Sequence, residues 1–304
     1  MKFDVPPTSR SQQADLLIER GLTAEREELI FILNQVGFTR LRNYLGQFEH
    51  PGDESGRFVA GATLEAVWDA YVFDRQLRLH ILDAIERIEV AIKAQLSNTI
   101  SIQSGPFGHL DPSNWSTHGL EERYPKFVDK LLAKEAGYQD EKTLKHWRSA
   151  FSSEEHLPIW LACEIMDFGC MLTLFRGCSQ RFKQQIASNY AVSDNVLESW
   201  LIAINTVRNM CAHHSRIWNR SYGITVKIPN KDLRWKEPVQ VNAEPRKNFA
   251  FLTILRYLLF YIAPHTGWAM RLEDLWKVKH PNIPLQKMGF PANWKECPIW
   301  HSAS

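Results

Sequence analysis

Residues 73–93, FDRQLRLHILDAIERIEVAIK, indicate the fold class of this 304-residue chain. Its apolar residues recur at steps of three and four, which places them on one stripe of a helix. They are Leu77, Ile81, Ile85, Ile88 and Ile92. The pairs Asp83–Arg87 and Glu89–Lys93 are spaced i,i+4 on the other faces, as in surface ion pairs. Together with its flanks the stretch predicts one long helix over about residues 64–100.

Helical periodicity continues over most of the chain. Helices are predicted at about 11–20 and 24–36, each ending at a glycine that suits a C-terminal cap. Others are predicted before residue 150, after Pro158, from Ser193 or Asp194 to about Arg220, and from about Asn248. Residues 221–247 are predicted to be a long loop, with room for a short hairpin. The expected fold is all-α: a helical bundle over 61–304, an N-terminal helical appendage over 1–60, and an irregular tail from Pro281, with a single unit as the alternative.

Composition excludes several classes of protein. The net charge of +2 is too small for a strongly basic nucleic-acid coat protein, although it permits a local basic patch. The longest apolar run, at 249–263, is shorter than the roughly 20 residues that a membrane-spanning helix needs. The opening MKFDVPPTSR has no apolar core of a secretory signal. Five cysteines without a CxxC pair indicate reduced thiols, so we expect a cytoplasmic protein with no metal and no cofactor.

The segment LESWLIAINTVRNMCAHHSRIWNR, residues 197–220, carries the candidate chemistry. On a helical wheel at about 100° per residue, the apolar side chains of this segment fall on one face. They are Trp200, Ile204, Val207, Cys211 and Trp218. The opposite face carries polar residues, namely Asn205, Asn209, His213, Arg216 and Arg220. This pattern predicts a helix that presents a polar stripe to a ligand or a partner.

The wheel separates the two adjacent histidines by about 100°. His213 falls in the polar stripe and is the candidate proton-transfer residue, whereas His214 falls on the core side and is expected to pack or orient, as is Trp218. Asn209, one turn earlier, is positioned to bond the His213 ring and select its tautomer. In the alternative interpretation, both histidines have only a structural role. Neighbouring histidines are poorly placed to chelate one metal.

Arg208 and His213 lie about 140° apart on an ideal helix. One copy of the helix therefore cannot easily bring the guanidinium and the imidazole to the same phosphate. Two copies packed face to face can do so, which predicts a homodimer with a composite site.

The sequence RNMCAH at 208–213 matches the R-x4-H signature of the HEPN superfamily. A second match at Arg75–His80 is disfavoured by the wheel, on which Arg75 faces away from the Leu77 stripe while His80 lies on its edge. RNMCAHHSRIWNR, together with PIWLACEIMDFGCMLTLF and residues 73–93, closely resembles Abi-like abortive-infection proteins of the AbiD/AbiF type. The segments PPTSRSQQADLLIERGL and MGFPANWKECPIW also resemble the ends of that family.

The resemblance implies a HEPN-like fold and a metal-independent endoribonuclease of a toxin-type antiviral defence system. It implies cleavage by the ribose 2′-hydroxyl, with His213 transferring protons and Arg208 stabilising the charged phosphate. Arg216 and Arg220 would hold the RNA backbone, or would simply complement the end of a helix. Arg40 and Arg42, beside Tyr44, form a smaller basic-aromatic cluster that could also contact RNA.

Two other functions fit the same residues. The chain could be an RNA-binding protein that holds a small noncoding RNA as a regulator, with weak or latent nuclease activity. It could also be a structural helical partner in a defence complex, with the polar stripe as a dimer seam. The sequence therefore leaves the partner open between substrate RNA, regulatory RNA and a second copy of the chain.

Overall fold

A computed structural model describes residues 6–138, 141–241 and 243–301. This part of the chain contains fourteen α-helices and no β-strand, so the predicted all-α fold class is confirmed. The helices are α1 (Arg10–Glu19), α2 (Arg26–Val36), α3 (Phe38–Leu45), α4 (Leu64–Ser104), α5 (Thr117–Glu122), α6 (Tyr124–Gly137), α7 (Lys142–Ala150), α8 (Ile159–Ile165), α9 (Phe168–Gly177), α10 (Gln180–Ser188), α11 (Asp194–Ala212), α12 (Asn248–Ile262), α13 (Trp268–Asp274) and α14 (Pro298–His301).

The chain divides into two compact units. The first comprises residues 1–78 and 272–283, and the second comprises residues 79–271 and 284–304. Helix α4 begins in the first unit and continues into the second. The expected domain boundary near residue 60 remains a prediction.

Helix α4 is the long helix that the apolar stripe predicted, and it extends four residues beyond the predicted end. Every member of the stripe from Leu77 to Ile92 is at most 1% exposed. The predicted surface ion pairs form as well: Asp83 contacts Arg87 at 3.0 Å and Glu89 contacts Lys93 at 2.8 Å. Burial of the stripe, rather than helix propensity alone, accounts for a helix of this length.

The first unit has a buried polar network inside its core. The Tyr44 hydroxyl donates a 2.6 Å hydrogen bond to Asp74, and Arg78 also pairs with Asp74. All three side chains are buried. A buried carboxylate is tolerated only when it is paired and hydrogen-bonded, so these partners are what allow Asp74 to lie in the core. Tyr44 is therefore a core residue and not part of an RNA-contacting cluster.

The second unit contains the helices that hold the candidate site. The apolar sequence after Pro158 forms two helices instead of one continuous helix, because the chain breaks at Met166 and Asp167 caps α9 through the Cys170 N–H at 2.8 Å. Helix α12 begins at Asn248 as predicted, and its side chains from Asn248 to Leu255 are all buried. No helix in the described ranges has the length and apolarity to cross a bilayer.

The C-terminal tail of the second unit is irregular, as predicted, but it contributes to the core. Short 3₁₀ turns at Leu285–Met288 and Trp294–Glu296 lead into α14. Trp300 donates from its indole to Thr253 of α12 at 2.8 Å and stacks on Phe249. The apolar face of α12 is covered in this way by aromatic side chains of the tail.

Candidate functional site

Helix α11 presents its predicted apolar face to the core. Ser193 is its N-cap, and its hydroxyl accepts the Val196 N–H. The four predicted core residues of the helix, Trp200, Ile204, Val207 and Cys211, are each at most 2% exposed. The Trp200 ring also packs against Trp235 and Tyr257, with centroid distances of 5.2 and 5.5 Å. This burial fixes which side of α11 faces solvent.

Helix α11 ends at Ala212, so the prediction of a helix to Arg220 is wrong. His213 is the C-cap, and His214 adopts a left-handed conformation with a φ of 56°. The His214 N–H donates to the Cys211 carbonyl at 3.0 Å, and the Ser215 N–H donates to the Met210 carbonyl at 2.8 Å. This pair of bonds is the Schellman arrangement that closes a helix, with histidine at the position that glycine usually occupies.

The turn places both histidines at the surface. The side chain of His213 is exposed, as predicted for a residue that meets a ligand. His214 is exposed too, so the prediction that it faces the core is wrong. The helical wheel does not apply to His214, because its left-handed backbone conformation interrupts the rotation of about 100° per residue that the wheel assumes.

Arg208 and Asn209 lie on the last turns of α11, where Arg208 is half-buried and Asn209 is exposed. Arg208 donates from Nη1 to the Asn209 side-chain oxygen at 3.3 Å. Asn209 receives the backbone N–H of His213 at 2.9 Å through its own carbonyl. Within the described residues no hydrogen bond joins the Asn209 side chain to the His213 ring, and Asn209 instead orients the arginine.

Arg216, Trp218 and Arg220 lie beyond the helix, so the predicted stripe does not align the two arginines with Asn209. Trp218 and its neighbour Ile217 are both fully buried, so they anchor the chain after the turn. Arg216 is half-buried, whereas Arg220 is exposed and donates to the Arg216 carbonyl at 3.5 Å.

After the turn the chain folds back along α11, and we call residues 213–227 the return segment. Lys227 receives the Trp200 indole N–H on its carbonyl at 2.7 Å, and its own N–H donates to the Ser199 hydroxyl at 2.9 Å. Tyr222 donates its N–H to the Arg246 carbonyl at 2.7 Å. These bonds fasten the return segment to the middle of α11 and to the chain just before α12.

The charged side chains of this part of the sequence are all basic. Between Glu198 and Asp232 the sequence has no carboxylate side chain, but it has five arginines and lysines, namely Arg208, Arg216, Arg220, Lys227 and Lys231. Lys227 and Arg246 are exposed and were missed by the sequence reasoning. The run of 33 residues without Asp or Glu was a signal that could have identified Lys227. No local pattern pointed to Arg246, which comes from a different part of the chain.

The remaining predicted RNA contacts, Arg40 and Arg42, belong to the first unit, whereas α11 and the return segment belong to the second. Arg42 forms an ion pair with Glu49 at 3.0 Å, and Arg40 is half-buried. Of the second R-x4-H match, Arg75 is exposed and His80 is half-buried on α4.

The described residues contain no cluster of three or more His, Cys, Asp or Glu side chains that could hold a metal ion. All five cysteines are buried, and none of them forms a disulfide in the described part of the chain. Burial raises the pKa of Cys178 to about 12, so this thiol is held in its protonated, unreactive form.

Comparison with known proteins identifies the family. A sequence model described as Abi-like protein matches residues 31–219, a range that contains α11, its terminal turn and the whole of α4. No curated protein and no solved structure matches the chain. Because the match covers more than half of the sequence and includes Arg208, Asn209 and His213, the chain belongs to the Abi-like protein family.

Proposed function

We propose that this protein is a metal-independent endoribonuclease of an abortive-infection phage-defence system, with Arg208 and His213 as its catalytic residues. The observation that carries the proposal is the exposed imidazole of His213 at the end of α11, five residues after a partly exposed arginine. Membership of the Abi-like family supports the defence role. The HEPN-like R-x4-H motif supports the nuclease chemistry.

The proposed reaction needs two proton transfers. The ribose 2′-oxygen attacks the adjacent phosphorus and loses its proton, and the bond from phosphorus to the 5′-oxygen breaks as that oxygen gains a proton. The products are a 2′,3′-cyclic phosphate and a 5′-hydroxyl. An imidazole can accept or deliver a proton near neutral pH, which suits His213 for either transfer.

Arg208 would stabilise the charge that grows on the phosphate. A guanidinium can donate two parallel hydrogen bonds to phosphate oxygens, and such donors act most strongly where charge develops in the transition state. Asn209 holds Nη1 of Arg208 at 3.3 Å and would orient the guanidinium. Asn209 is therefore assigned a positioning role through the arginine rather than through the histidine.

A homodimer would complete the site. Arg208 and His213 lie about 140° apart around the axis of α11, since His213 still follows the helical backbone as the C-cap. Two such helix ends, facing each other, would bring the arginine of one protomer toward the histidine of the other. The two protomers would together supply two histidines, one for each proton transfer.

Cleavage of a long single-stranded RNA in EDTA tests the proposal. The wild-type protein should cut the RNA without added metal. His213→Ala should lower the rate by about 10²–10⁴-fold, as expected for a general acid–base residue. Arg208→Ala should lower the rate by about 10²–10³-fold. His146→Ala, at an exposed histidine on α7, is the matched control and should leave the rate unchanged.

The same samples separate the enzyme from an RNA-binding regulator. The nuclease proposal would be rejected if the wild-type protein left the RNA intact and a structured RNA co-purified equally with the wild type and His213→Ala. The protein would then be one that binds a noncoding RNA. Equal loss of cleavage in His213→Ala and His146→Ala would remove His213 from the reaction.

A further inference from the structure

We infer that Arg220, Lys227 and Arg246 form one cationic strip that binds the backbone of single-stranded RNA and leads it to the end of α11. The inference rests on the proposed RNA substrate and deepens it, because it assigns residues that neither the R-x4-H motif nor the family match includes. The match ends at residue 219, just before the first of the three cations.

Hydrogen bonds of the backbone set the order of the three cations. Lys227 is tied to Ser199 and Trp200 in the middle of α11 by the two bonds that anchor the return segment. His213 lies at the end of the same helix. At 1.5 Å per residue, the two places are separated by roughly 20 Å along the helix axis. The return segment spans this distance and carries Arg220 between its two ends.

Arg246 joins the strip from a distant part of the sequence. Its carbonyl receives the Tyr222 N–H at 2.7 Å, and its Nε donates to the Thr225 hydroxyl at 3.0 Å. Both contacts fall on the return segment between Arg220 and Lys227. The Asn248 amide donates to the Tyr222 hydroxyl at 2.8 Å and fastens the same place from the first turn of α12. Arg246 is thus held next to the return segment by two hydrogen bonds of its own, and Asn248 adds a third bond two residues later.

The strip is exposed, and few carboxylates lie near it in the sequence. Arg220, Lys227 and Arg246 are all exposed. The return segment itself has no carboxylate side chain, and Glu244 is the acidic residue nearest in sequence to Arg246. Phosphate contacts from arginine and lysine position a nucleic acid without reading its bases, which is the role that such a strip can play.

A polyanion fits this surface better than a second copy of the chain does. Two identical cationic strips facing each other would repel, since like charges opposed across an interface cost several kcal/mol. A single row of cations matches the one row of phosphates of an unpaired strand, and a single strand gives the proposed nuclease direct access to the 2′-hydroxyl. RNA therefore explains the strip, and a protein partner is an outcome that the experiment must separate.

Binding to an RNA that cannot be cut tests the strip independently of catalysis. The probe is a fluorescent single-stranded RNA with 2′-O-methyl groups throughout, measured by anisotropy with the full chain at several salt concentrations. The triple variant Arg220→Ala, Lys227→Ala, Arg246→Ala keeps every backbone bond that orders the segment. We expect it to bind at least tenfold more weakly. Each lost phosphate contact should also reduce the slope of log affinity against log salt by about 0.7.

The matched control removes the same charge elsewhere. Lys126→Ala, Lys142→Ala, Lys145→Ala changes three exposed lysines on α6 and α7 and should bind like the wild type. Equal affinity and salt slope in wild type and strip variant would overturn the inference, and so would an equal loss in the control. The inference would also be overturned if sedimentation showed that the strip variant no longer self-associates and this loss alone explained its weaker RNA binding. The three cations would then belong to a protein interface.

The result is distinguishable from a failure of the proposed nuclease. Strip-dependent binding of the 2′-O-methyl RNA by a wild-type protein that leaves ordinary RNA intact would support the strip and reject the nuclease. Cleavage of ordinary RNA at the same rate by wild type and strip variant, under subsaturating RNA, would reject the strip and support the nuclease.

Discussion

At the scale of single residues, His109 shows how burial controls a charge. Its ring is 1% exposed, and within the described residues neither ring nitrogen has a hydrogen-bond partner. Desolvation, with a smaller contribution from His156, lowers the pKa of His109 to about 3. The folded protein therefore keeps this imidazole neutral at every pH at which the unfolded chain would begin to protonate it.

This shift predicts a loss of stability in mild acid. Between about pH 6.5 and pH 3 the unfolded state binds a proton at His109 that the folded state does not, so the free energy of unfolding falls as the pH falls through that window. At pH 5 the loss from this group is about 2 kcal/mol relative to pH 7.5. Urea unfolding at the two pH values measures it.

Substitution separates His109 from the other titrating groups. In His109→Leu the difference in unfolding free energy between pH 7.5 and pH 5 should shrink by about the same 2 kcal/mol. His146→Leu, at an exposed histidine, should leave the difference as it is in the wild type. An unaltered pH dependence in His109→Leu would show that His109 is not held neutral by burial.

At the scale of elements, the end of α11 determines how the site is presented. A left-handed φ of 56° at His214 costs a residue with a side chain roughly 1–2 kcal/mol, and glycine avoids that cost. We therefore predict that His214→Gly is more stable than His214→Ala by about 1 kcal/mol in the free energy of unfolding. Both variants lack the imidazole, so the comparison cancels its contacts.

The sign of that difference distinguishes the observed turn from a continuous helix. If α11 ran on to Arg220, position 214 would be a helix interior, where glycine is less stable than alanine by about 1 kcal/mol. A chemical-denaturation series on the two variants therefore decides where the helix ends. Alanine as the more stable residue would contradict the Schellman turn.

The helices themselves were largely predictable from sequence, but their ends were not. The stripe from Leu77 to Ile92 and the apolar face of α11 follow from spacing alone, because burial requires one continuous apolar side. The early end of α11 carries no such signal, since histidine and serine stand where glycine would normally mark a C-terminal cap. The exposure of His213 was nevertheless predicted correctly, because His213 precedes the turn and the helical wheel still applies to it.

Contacts between distant parts of the chain were beyond a reading of local patterns. Periodicity did not show that Tyr44 would hydrogen-bond to Asp74, thirty residues later, or that Arg246 would contact the return segment. Both depend on how helices pack, and packing overrides the local sequence pattern at such positions. The sequence therefore named Arg208, His213 and Arg220 as candidates, whereas Lys227 and Arg246 were missed.

At the scale of the whole molecule, a composite site makes activity depend on association. If each site takes Arg208 from one protomer and His213 from the other, the monomer is inactive. The specific activity should then fall on dilution below the dimer dissociation constant, by roughly tenfold for each tenfold dilution in that regime. Cleavage rates across a dilution series, with sedimentation at matching concentrations, measure this dependence.

The same preparations test whether the polar residues form only a dimer seam. Arg208→Ala and His213→Ala should remain as dimeric as the wild type while losing cleavage. Specific activity that is constant down to monomer concentrations would contradict the composite site. Loss of the dimer in both variants would instead make Arg208 and His213 interface residues.

The chemical groups at the cut RNA ends show whether the 2′-hydroxyl is the attacking group. Mass spectrometry of fragments from a defined RNA, cut in EDTA, should show 2′,3′-cyclic phosphate and 5′-hydroxyl ends. A single 2′-deoxy nucleotide at the cleaved position should abolish that cut, since the attacking hydroxyl is missing. Fragments that end in 3′-hydroxyl and 5′-phosphate, or continued cutting at the deoxy nucleotide, would contradict attack by the 2′-hydroxyl at His213.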